Sequence, residues 1–347
     1  RRLWLDASLV AALERRTEGW IAGLQLAAVA RHESMALAQQ MDVAQWVEAF
    51  GGGHRHVLDY LMQEVLERQP APVRDFVVQT AILDRLTAPL CDAVTGRQDG
   101  REMLDRLERN SLFVVPLDDR RTWYRYHQIF ADALRGQMQP SQRMALYARA
   151  ARWCEAQGLL PEAIAYALSA LDWPLAAQLI ERSGVDMLQR LERATVLGWL
   201  RILPQSLVRS RPKLCLIHAW AMLYTAQFSE AEIWATHAEA ALAEAVGPGA
   251  APAAPDPAPL LGEVDALRAT VAVNRGQFSL AIELSQRALL RLPPDQALGR
   301  ILVHLDLGDA FSVSDDYAAA HQAMAEALHI AEGVANLDLM VVILGSQ

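Results

Sequence analysis

The chain has 347 residues, of which 52% are hydrophobic and 21% charged, with a formal net charge of −9. This composition excludes an intrinsically disordered chain. The length is sufficient for two or three domains with sizeable cores. No apolar run approaches the ~18 residues that span a bilayer. The negative charge also argues against a DNA-contacting role for this chain, because such a role needs a basic face.

Residues 1–70 have the pattern of a helical region. Apolar side chains recur at helical spacing on both sides of Gly51–Gly53, most clearly from Val57 to Leu66. His54 and His56 follow the glycines, but side chains two positions apart on a helix point apart, which favours a polar helix start over a metal site. The chain begins without methionine and without a signal-peptide pattern, so we expect a piece of a longer cytoplasmic protein.

Residues 71–137 hold the only convincing β pattern of the sequence. Leu112–Leu117 and Thr122–Tyr126 are β-favouring runs joined by the polar turn Asp118–Arg121. Helical patterns precede them, and a helix with an apolar face follows at once. A two-stranded wing joined to helices predicts a winged-helix domain. His127 lies where the second strand meets the next helix, which is a position where such a domain can touch a ligand.

The charged residues of this domain are of both signs and do not form a basic surface. Its arginines are interleaved with carboxylates, which indicates a solvated surface. The residues are Arg101, Arg106, Arg109, Arg120, Arg121 and Arg125, with Asp105, Glu108, Asp118 and Asp119 between them.

Residues 138–347 contain a repeated pattern of a turn, a large apolar residue and a helix with a small alanine. A second alanine follows seven residues later in each copy, and alanines at that spacing let helices approach closely. The intervals are unequal and exceed the ~34 residues of a tetratricopeptide repeat, so we expect extra helices around Pro174–Leu200 and a loop at Gly247–Pro259. The copies are Gly158–Ala163, Ala226–Ala231, Gly276–Ala281 and Asp315–Ala320. They predict a tetratricopeptide-like α superhelix.

Catalytic motifs are absent from the sequence. Lys213 is the single lysine and follows no glycine loop, so there is no P-loop, and no GxSxG or HExxH pattern occurs. The three cysteines, Cys91, Cys154 and Cys215, are far apart and have no metal-ligand spacing, which favours buried, reduced thiols. We therefore expect no catalysis, no bound metal and no cofactor in this chain itself.

Aromatic residues cluster near the second repeat turn. Trp220, Tyr224, Trp234 and His237 have helical spacing, which is more typical of a core than of a binding site. A superhelix of helix pairs nevertheless offers a concave surface for a ligand. Trp220 and Tyr224 are therefore kept as candidate ligand-binding residues.

Four runs resemble one family, the large ATP-dependent LuxR-type transcriptional activators, which are MalT-like members of the STAND class of signal-transduction ATPases. The runs are Thr17–Ala30, Val57–Leu86, Leu104–Arg135 and Arg149–Glu181. The resemblance implies a nucleotide-binding domain before this chain and a helix-turn-helix after it. Residues 1–70 would end the nucleotide-binding module, 71–137 form the winged helix and 138–347 form the superhelical sensor.

The same resemblance implies how the family works. The resting form holds ADP, whereas an inducer together with ATP and Mg²⁺ favours a self-associated form that binds promoter DNA and recruits RNA polymerase. His127 matches the winged-helix histidine that contacts the ADP phosphates in the resting state; the alternative is a histidine bonded within its own wing. The input is either a small molecule or a regulatory protein.

Three function hypotheses follow. The first is the regulatory and inducer-sensing core of such an activator. The second is a repeat scaffold for protein partners, which leaves the winged helix unexplained. The third is a free-standing enzyme using Glu162, His218 or Asp315, for which no acid–base constellation exists.

Overall fold

The computed structural model describes residues 66–110, 113–190, 192–246 and 256–333. The chain divides into two compact units between Asp172 and Trp173. The predicted helical region at residues 1–70 lies outside the described residues except for its last five, and so do His54 and His56. Most of the predicted loop at Gly247–Pro259 lies outside them as well.

The described part of the first unit contains six helices and two short strands. Their bounds are α1 (Ala71–Thr80), α2 (Ala88–Thr95), α3 (Gly100–Arg109), β1 (Val114–Pro116), β2 (Tyr124–Tyr126), α4 (Gln128–Gln137), α5 (Pro140–Ala156) and α6 (Leu160–Ser169). This unit holds the predicted winged helix together with the helix pair α5–α6, which the sequence analysis assigned to the repeat region.

The wing is an antiparallel pair in which Val114 lies opposite Tyr126. Its strands have three residues each and are shorter than the predicted runs, although Leu117 still donates a backbone hydrogen bond to Trp123 at 2.8 Å. The Asp118 carboxylate closes the turn by accepting from the backbone N–H groups of Thr122 and Trp123, both at 2.9 Å. The predicted polar turn therefore folds through an aspartate side chain.

The core of the first unit lies between the wing and the helices around it. Phe76 of α1, Tyr124 of β2 and Phe130 of α4 are fully buried, as the apolar periodicity predicts. The Thr80 hydroxyl lies 2.7 Å from the Tyr126 hydroxyl and donates to the Phe76 carbonyl at 2.7 Å. The end of α1 is thereby joined to the wing.

The described part of the second unit is helical throughout. Its helices are α7 (Trp173–Gln189), α8 (Arg193–Ile202), α9 (Gln205–Arg209), α10 (Pro212–Leu223), α11 (Phe228–Val246), α12 (Ala258–Asn274), α13 (Phe278–Arg291), α14 (Ala297–Val313) and α15 (Tyr317–Gly333). Helices α10 to α15 pack as three antiparallel pairs, and α7 to α9 are the extra helices that the long first interval predicts. The mostly α fold, with a winged helix and a tetratricopeptide-like region, is confirmed.

The four predicted repeat turns share one backbone conformation. Gly158, Ala226, Gly276 and Asp315 all have positive φ, at 74°, 56°, 72° and 60°. In each copy the large apolar residue starts the next helix two positions later. Every repeat alanine is buried, as close helix packing requires: Ala163, Ala170, Ala231, Ala238, Ala281, Ala288, Ala320 and Ala327.

Among the described residues, no helix is both long and apolar enough to cross a membrane.

Candidate ligand groove and winged-helix junction

The backbone of His127 is fixed at the strand-to-helix junction. Its N–H donates to the Phe113 carbonyl at 2.7 Å, and its carbonyl accepts from the Ala131 N–H at 3.0 Å. The residue is 7% exposed, and its ring meets the Phe113 ring edge-on at 6.2 Å between centroids. His127 therefore lies between a strand and a helix, as the sequence predicts, and its imidazole packs against Phe113 beside the wing.

Phe113 holds this junction together. Its backbone is left-handed at φ 57°, and its ring stacks on Phe130 at 4.7 Å between centroids. Next to it, Tyr126 meets Phe130 edge-on at 5.8 Å. A displacement of His127 would therefore disturb a packed aromatic cluster rather than a loose loop.

A polar cleft of about 360 Å³ lies beside the junction, and Tyr126 and Gln128 line it. The Arg135 guanidinium also lines this cleft. It donates to the Ala81 carbonyl at 2.7 Å and pairs with Asp84 at 3.2 Å. These bonds tie α4 to the segment between α1 and α2, so Arg135 has a structural role here.

The second unit contains a cavity of about 350 Å³ that Trp220 and Tyr224 line. Both come from the last turn and C-terminal end of α10, and their ring centroids lie 6.1 Å apart. Leu188 of α7, Glu263 of α12 and Gln296 before α14 complete much of the wall. The two aromatic candidates from the sequence thus lie in one cavity, although Trp220 is only 7% exposed.

A second cavity of about 570 Å³ shares Val185, Glu263 and Gln296 with the first. The two cavities are adjoining parts of one depression, which we call the groove. The second cavity adds the charged residues Arg211 and Lys213. The groove is therefore aromatic and acidic at one end and carries both signs of charge at the other.

Glu263 lies at the centre of the groove, because it lines both cavities. Burial raises the pKa of its carboxyl group, while the hydrogen bond from Gln296 Nε2 at 2.9 Å and the charge of Lys213 oppose that rise. A carboxylate that is partly removed from water gains from any further donor or cation.

Glu181 has the same character in the second cavity. Burial raises the pKa of Glu181, and the Arg211 guanidinium, 3.1 Å away, opposes the rise. This ion pair joins α7 to the start of α10 and forms part of the groove wall.

Trp234 and His237 lie elsewhere, on α11. Trp234 stacks on the His218 ring at 3.9 Å between centroids and meets His237 edge-on at 5.4 Å. Burial and the nearby Arg201 lower the pKa of His218 to about 4, so its imidazole is neutral at pH 7. These residues form a packed contact between α10 and α11.

The other residues considered for catalysis have local roles. Glu162 is exposed in the first turn of α6. Asp315 forms a left-handed turn and accepts from the Tyr317 hydroxyl at 3.0 Å. None of Glu162, His218 and Asp315 lines the groove.

The cysteines are free and buried, as predicted. Burial raises the pKa of Cys154 to about 11 and that of Cys215 to about 12, and it raises the pKa of Cys91 further. Their thiols are therefore protonated and unreactive at neutral pH. Among the described residues, no group of three or more potential metal ligands occurs.

Sequence reasoning missed Glu263 and Gln296. They lie in different helix pairs, and neither belongs to a recognisable motif. Only the packing of α12 beside α10 and α14 brings them to Trp220.

Two family models match the chain. The MalT winged helix domain matches residues 62–146, and the MalT-like TPR region matches residues 262–347. The first match covers the wing and His127, and the second covers Glu263 and Gln296.

Two kinds of protein occur among the curated relatives. The HTH-type transcriptional regulator MalT of Vibrio cholerae is 31% identical over 310 residues, which are 88% of this chain and 33% of that protein. The serine/threonine-protein kinase PknK of Mycobacterium tuberculosis is 32% identical over 298 residues, which are 84% of this chain and 26% of the kinase. The chain thus spans about a third or less of these relatives.

Among solved structures, a STAND protein with a tetratricopeptide repeat sensor from Pyrococcus horikoshii aligns with a TM-score of 0.49 and 12% identity. The alignment covers 92% of this chain and 55% of that one.

Proposed function

Because the chain carries the winged helix domain and the TPR region of the MalT-like family, we propose that it is the central regulatory and inducer-sensing part of a LuxR-type, ATP-dependent transcriptional activator. The observation that carries this proposal is the groove, where Trp220 and Tyr224 line a cavity large enough for a small molecule. A small-molecule inducer is the favoured input, and a regulatory protein is the other.

The proposed mechanism is conformational rather than catalytic. The intact cytoplasmic protein binds ADP in a resting form, and ATP with Mg²⁺ in an active, self-associated form. An inducer in the groove shifts this balance only by its higher affinity for the active form. Promoter DNA and RNA polymerase are contacted by parts of the protein other than this chain, and this chain carries out no reaction.

His127 is proposed to contact the ADP phosphates in the resting form. Its backbone is fixed by Phe113 and Ala131, and its ring packs edge-on against Phe113, so the histidine has a defined place on the winged helix. A ring N–H can donate to a phosphate oxygen, and that contact is lost if the domain moves away.

The test of His127 uses the full-length protein. His127→Ala should raise the dissociation rate of ADP, whereas His329→Ala on α15 should leave it unchanged. An unaltered ADP dissociation rate in the His127 variant would remove the histidine from the proposal.

A thermal-shift screen tests the sensor function itself. The chain is screened against a library of metabolites and oligosaccharides, with ADP and ATP as controls, and ligand binding should raise Tm. Trp220→Phe should abolish the shift given by a hit, whereas Trp234→Phe should keep it. Both tryptophans are equally buried, at 7% and 8% exposed, but only Trp220 lines the groove. A hit whose shift is the same in both variants would place its site elsewhere.

A second candidate function is supported by the kinase relative. PknK is as similar to this chain as MalT is, so the same regulatory module can stand beside a kinase domain. The DNA that encodes the neighbouring protein segments decides between them. A GxxxxGK[ST] motif before Arg1 and a helix-turn-helix after Gln347 support the activator, and a kinase domain on either side of this chain supports the alternative. If neither arrangement is found, the repeat scaffold for protein partners is favoured.

A further inference from the structure

The cavity around Trp220 has an excess of negative charge. Two carboxylates line it, Glu263 inside and Asp295 at the exposed rim, and no basic side chain of the described residues does. Two cations act on the wall without lining the cavity: the Arg193 guanidinium lies 5.4 Å from the centre of the Tyr224 ring, and the charge of Lys213 acts on Glu263. The charged side chains that line the cavity itself are both acidic, so the cavity favours a ligand that brings positive charge.

Gln296 adds an unused acceptor. Its amide nitrogen donates to the Glu263 carboxylate at 2.9 Å, and this orientation is required because an ionised carboxylate can only accept. The amide oxygen takes no part in that bond. It is buried and has no donor among the described residues. A buried acceptor without a donor loses its hydrogen bonds to water, which raises the free energy of the folded state. A ligand that offers an N–H or O–H group would restore such a bond.

The third observation that bears on the ligand is the Trp220 ring. An indole face attracts a cation placed within about 6 Å of the ring, and the attraction grows when water is excluded. Arg193 already uses the Tyr224 ring in this way, which leaves Trp220 as the aromatic wall for the ligand. Leu188 and Leu302 line the same cavity and offer apolar contact.

From these three observations we infer that the cavity around Trp220 binds a protonated amine with an apolar or aromatic body. The ammonium group lies at Glu263 and donates to the Gln296 oxygen, and the body packs on Trp220. An anion would meet two carboxylates, and a neutral polyol would satisfy Gln296 but bring no positive charge to Glu263 inside the cavity. The inference rests on the proposed sensor function and specifies the class of its inducer.

The experiment uses three compounds of similar shape and different charge. Phenethylamine, 2-phenylethanol and 3-phenylpropionate are titrated into the 347-residue chain by isothermal titration calorimetry at pH 7 and low salt. Phenethylamine should bind at least tenfold more tightly than 2-phenylethanol, and 3-phenylpropionate should not bind. Equal affinity for the amine and the alcohol, or no binding of the amine, would overturn the inference.

Matched variants locate the effect. Glu263→Gln should remove the tenfold preference for the amine, and Gln296→Leu should weaken amine binding severalfold. Glu283→Gln removes the same charge from an exposed position of α13 outside the groove and should change nothing. A preference that survives Glu263→Gln in a variant with an unchanged circular dichroism spectrum would also overturn the inference.

The outcome is separable from that of the sensor proposal. If the amine fails but a neutral library compound binds in a Trp220-dependent way, the groove is a sensor site of another ligand class. If the amine binds and the full-length protein does not respond to it, the site stands and the sensor function fails.

Discussion

Thr80 and Tyr126 join α1 to the wing by a hydrogen bond in which the two hydroxyls have unequal roles. Thr80 donates to the Phe76 carbonyl, so Tyr126 must donate to Thr80. Burial raises the pKa of Tyr126 far above its ordinary value, so the phenol remains a donor at all relevant pH values. Loss of the Thr80 hydroxyl and loss of the Tyr126 hydroxyl should therefore lower the free energy of unfolding by different amounts.

We expect Thr80→Val to lower the free energy of unfolding by ~1–3 kcal/mol, because it leaves a buried phenol donor unsatisfied. Tyr126→Phe should cost less, since Thr80 keeps the Phe76 carbonyl as its partner. Urea denaturation of both single variants and the double variant gives the two costs and their coupling. Equal costs for the two single variants would show that the phenol has another partner.

Asp306 is a buried carboxyl group on α14 whose hydrogen-bond partner is the Thr270 hydroxyl, 2.7 Å away. Burial raises its pKa from 3.8 to about 7, and nearby Asp309 adds to the rise. The folded state therefore holds a proton between about pH 4 and pH 7 that the unfolded chain has released. The free energy of unfolding must fall as the pH rises through this window.

Asp306→Asn should remove the part of that fall that Asp306 causes, because the amide does not titrate. The wild-type chain should lose up to ~1.4 kcal/mol per pH unit relative to the variant as the pH rises towards 7. Tm measured from pH 4.5 to pH 8 checks this, with Glu283→Gln as a control at an exposed carboxylate. Parallel curves for the wild type and Asp306→Asn would contradict a raised pKa.

At the scale of elements, the repeats are specified mainly at their turns and at their close helix contacts. Gly158 and Gly276 take the left-handed turn conformation at little cost, whereas Ala226 and Asp315 take it with a side chain. Tight packing appears at Gly262 of α12, where an added Cβ would lie 3.0 Å from the Leu292 backbone nitrogen. Gly198 of α8 has nothing within 4 Å of such an atom.

These two helix glycines should respond oppositely to the same change. Gly262→Ala should destabilise the chain by ~1–3 kcal/mol, since a backbone atom cannot move aside easily. Gly198→Ala should stabilise it by ~0.5–1 kcal/mol, because alanine restricts the unfolded chain and favours a helix. Thermal denaturation of both variants measures the signs. Stabilisation by Gly262→Ala would mean that α12 and the end of α13 separate readily.

At the scale of the whole molecule, two compact units must act as one if the chain is a sensor. The first unit holds the winged helix with His127, and the second holds the groove. Helix α5 follows the winged helix, packs on α2 and α6, and is our proposed route of coupling. Arg152 is an exposed charge on that helix.

Arg152→Glu should shift the inducer concentration for half-maximal activation of the full-length protein by about fivefold or more, within the usual range of coupling energies. Arg275→Glu makes the same charge change at an exposed position after α12 and should leave the dose response unchanged. A transcription assay with purified components measures both. An unaltered dose response in Arg152→Glu would exclude α5 as the route.

The sequence by itself determined the elements that depend on neighbouring residues. The apolar periodicity of α1 to α4, the wing with its Asp118 turn and the four repeat turns were all predicted, because helix faces, hairpins and turns are encoded over a few residues. The family resemblance came from the same local runs. The division at Asp172, which sets the pair α5–α6 with the winged helix, depends on which surfaces pack together and was not predicted.

Only the tertiary structure decided which aromatic residues line a cavity. Trp220 and Trp234 have the same helical spacing and nearly the same burial, yet one faces the groove and the other packs on His218. Glu263 and Gln296 meet Trp220 through helices far apart in the chain. Such a site is defined by the packing of separate helix pairs, and no local pattern records it, because each side chain alone satisfies the ordinary rules of a helix.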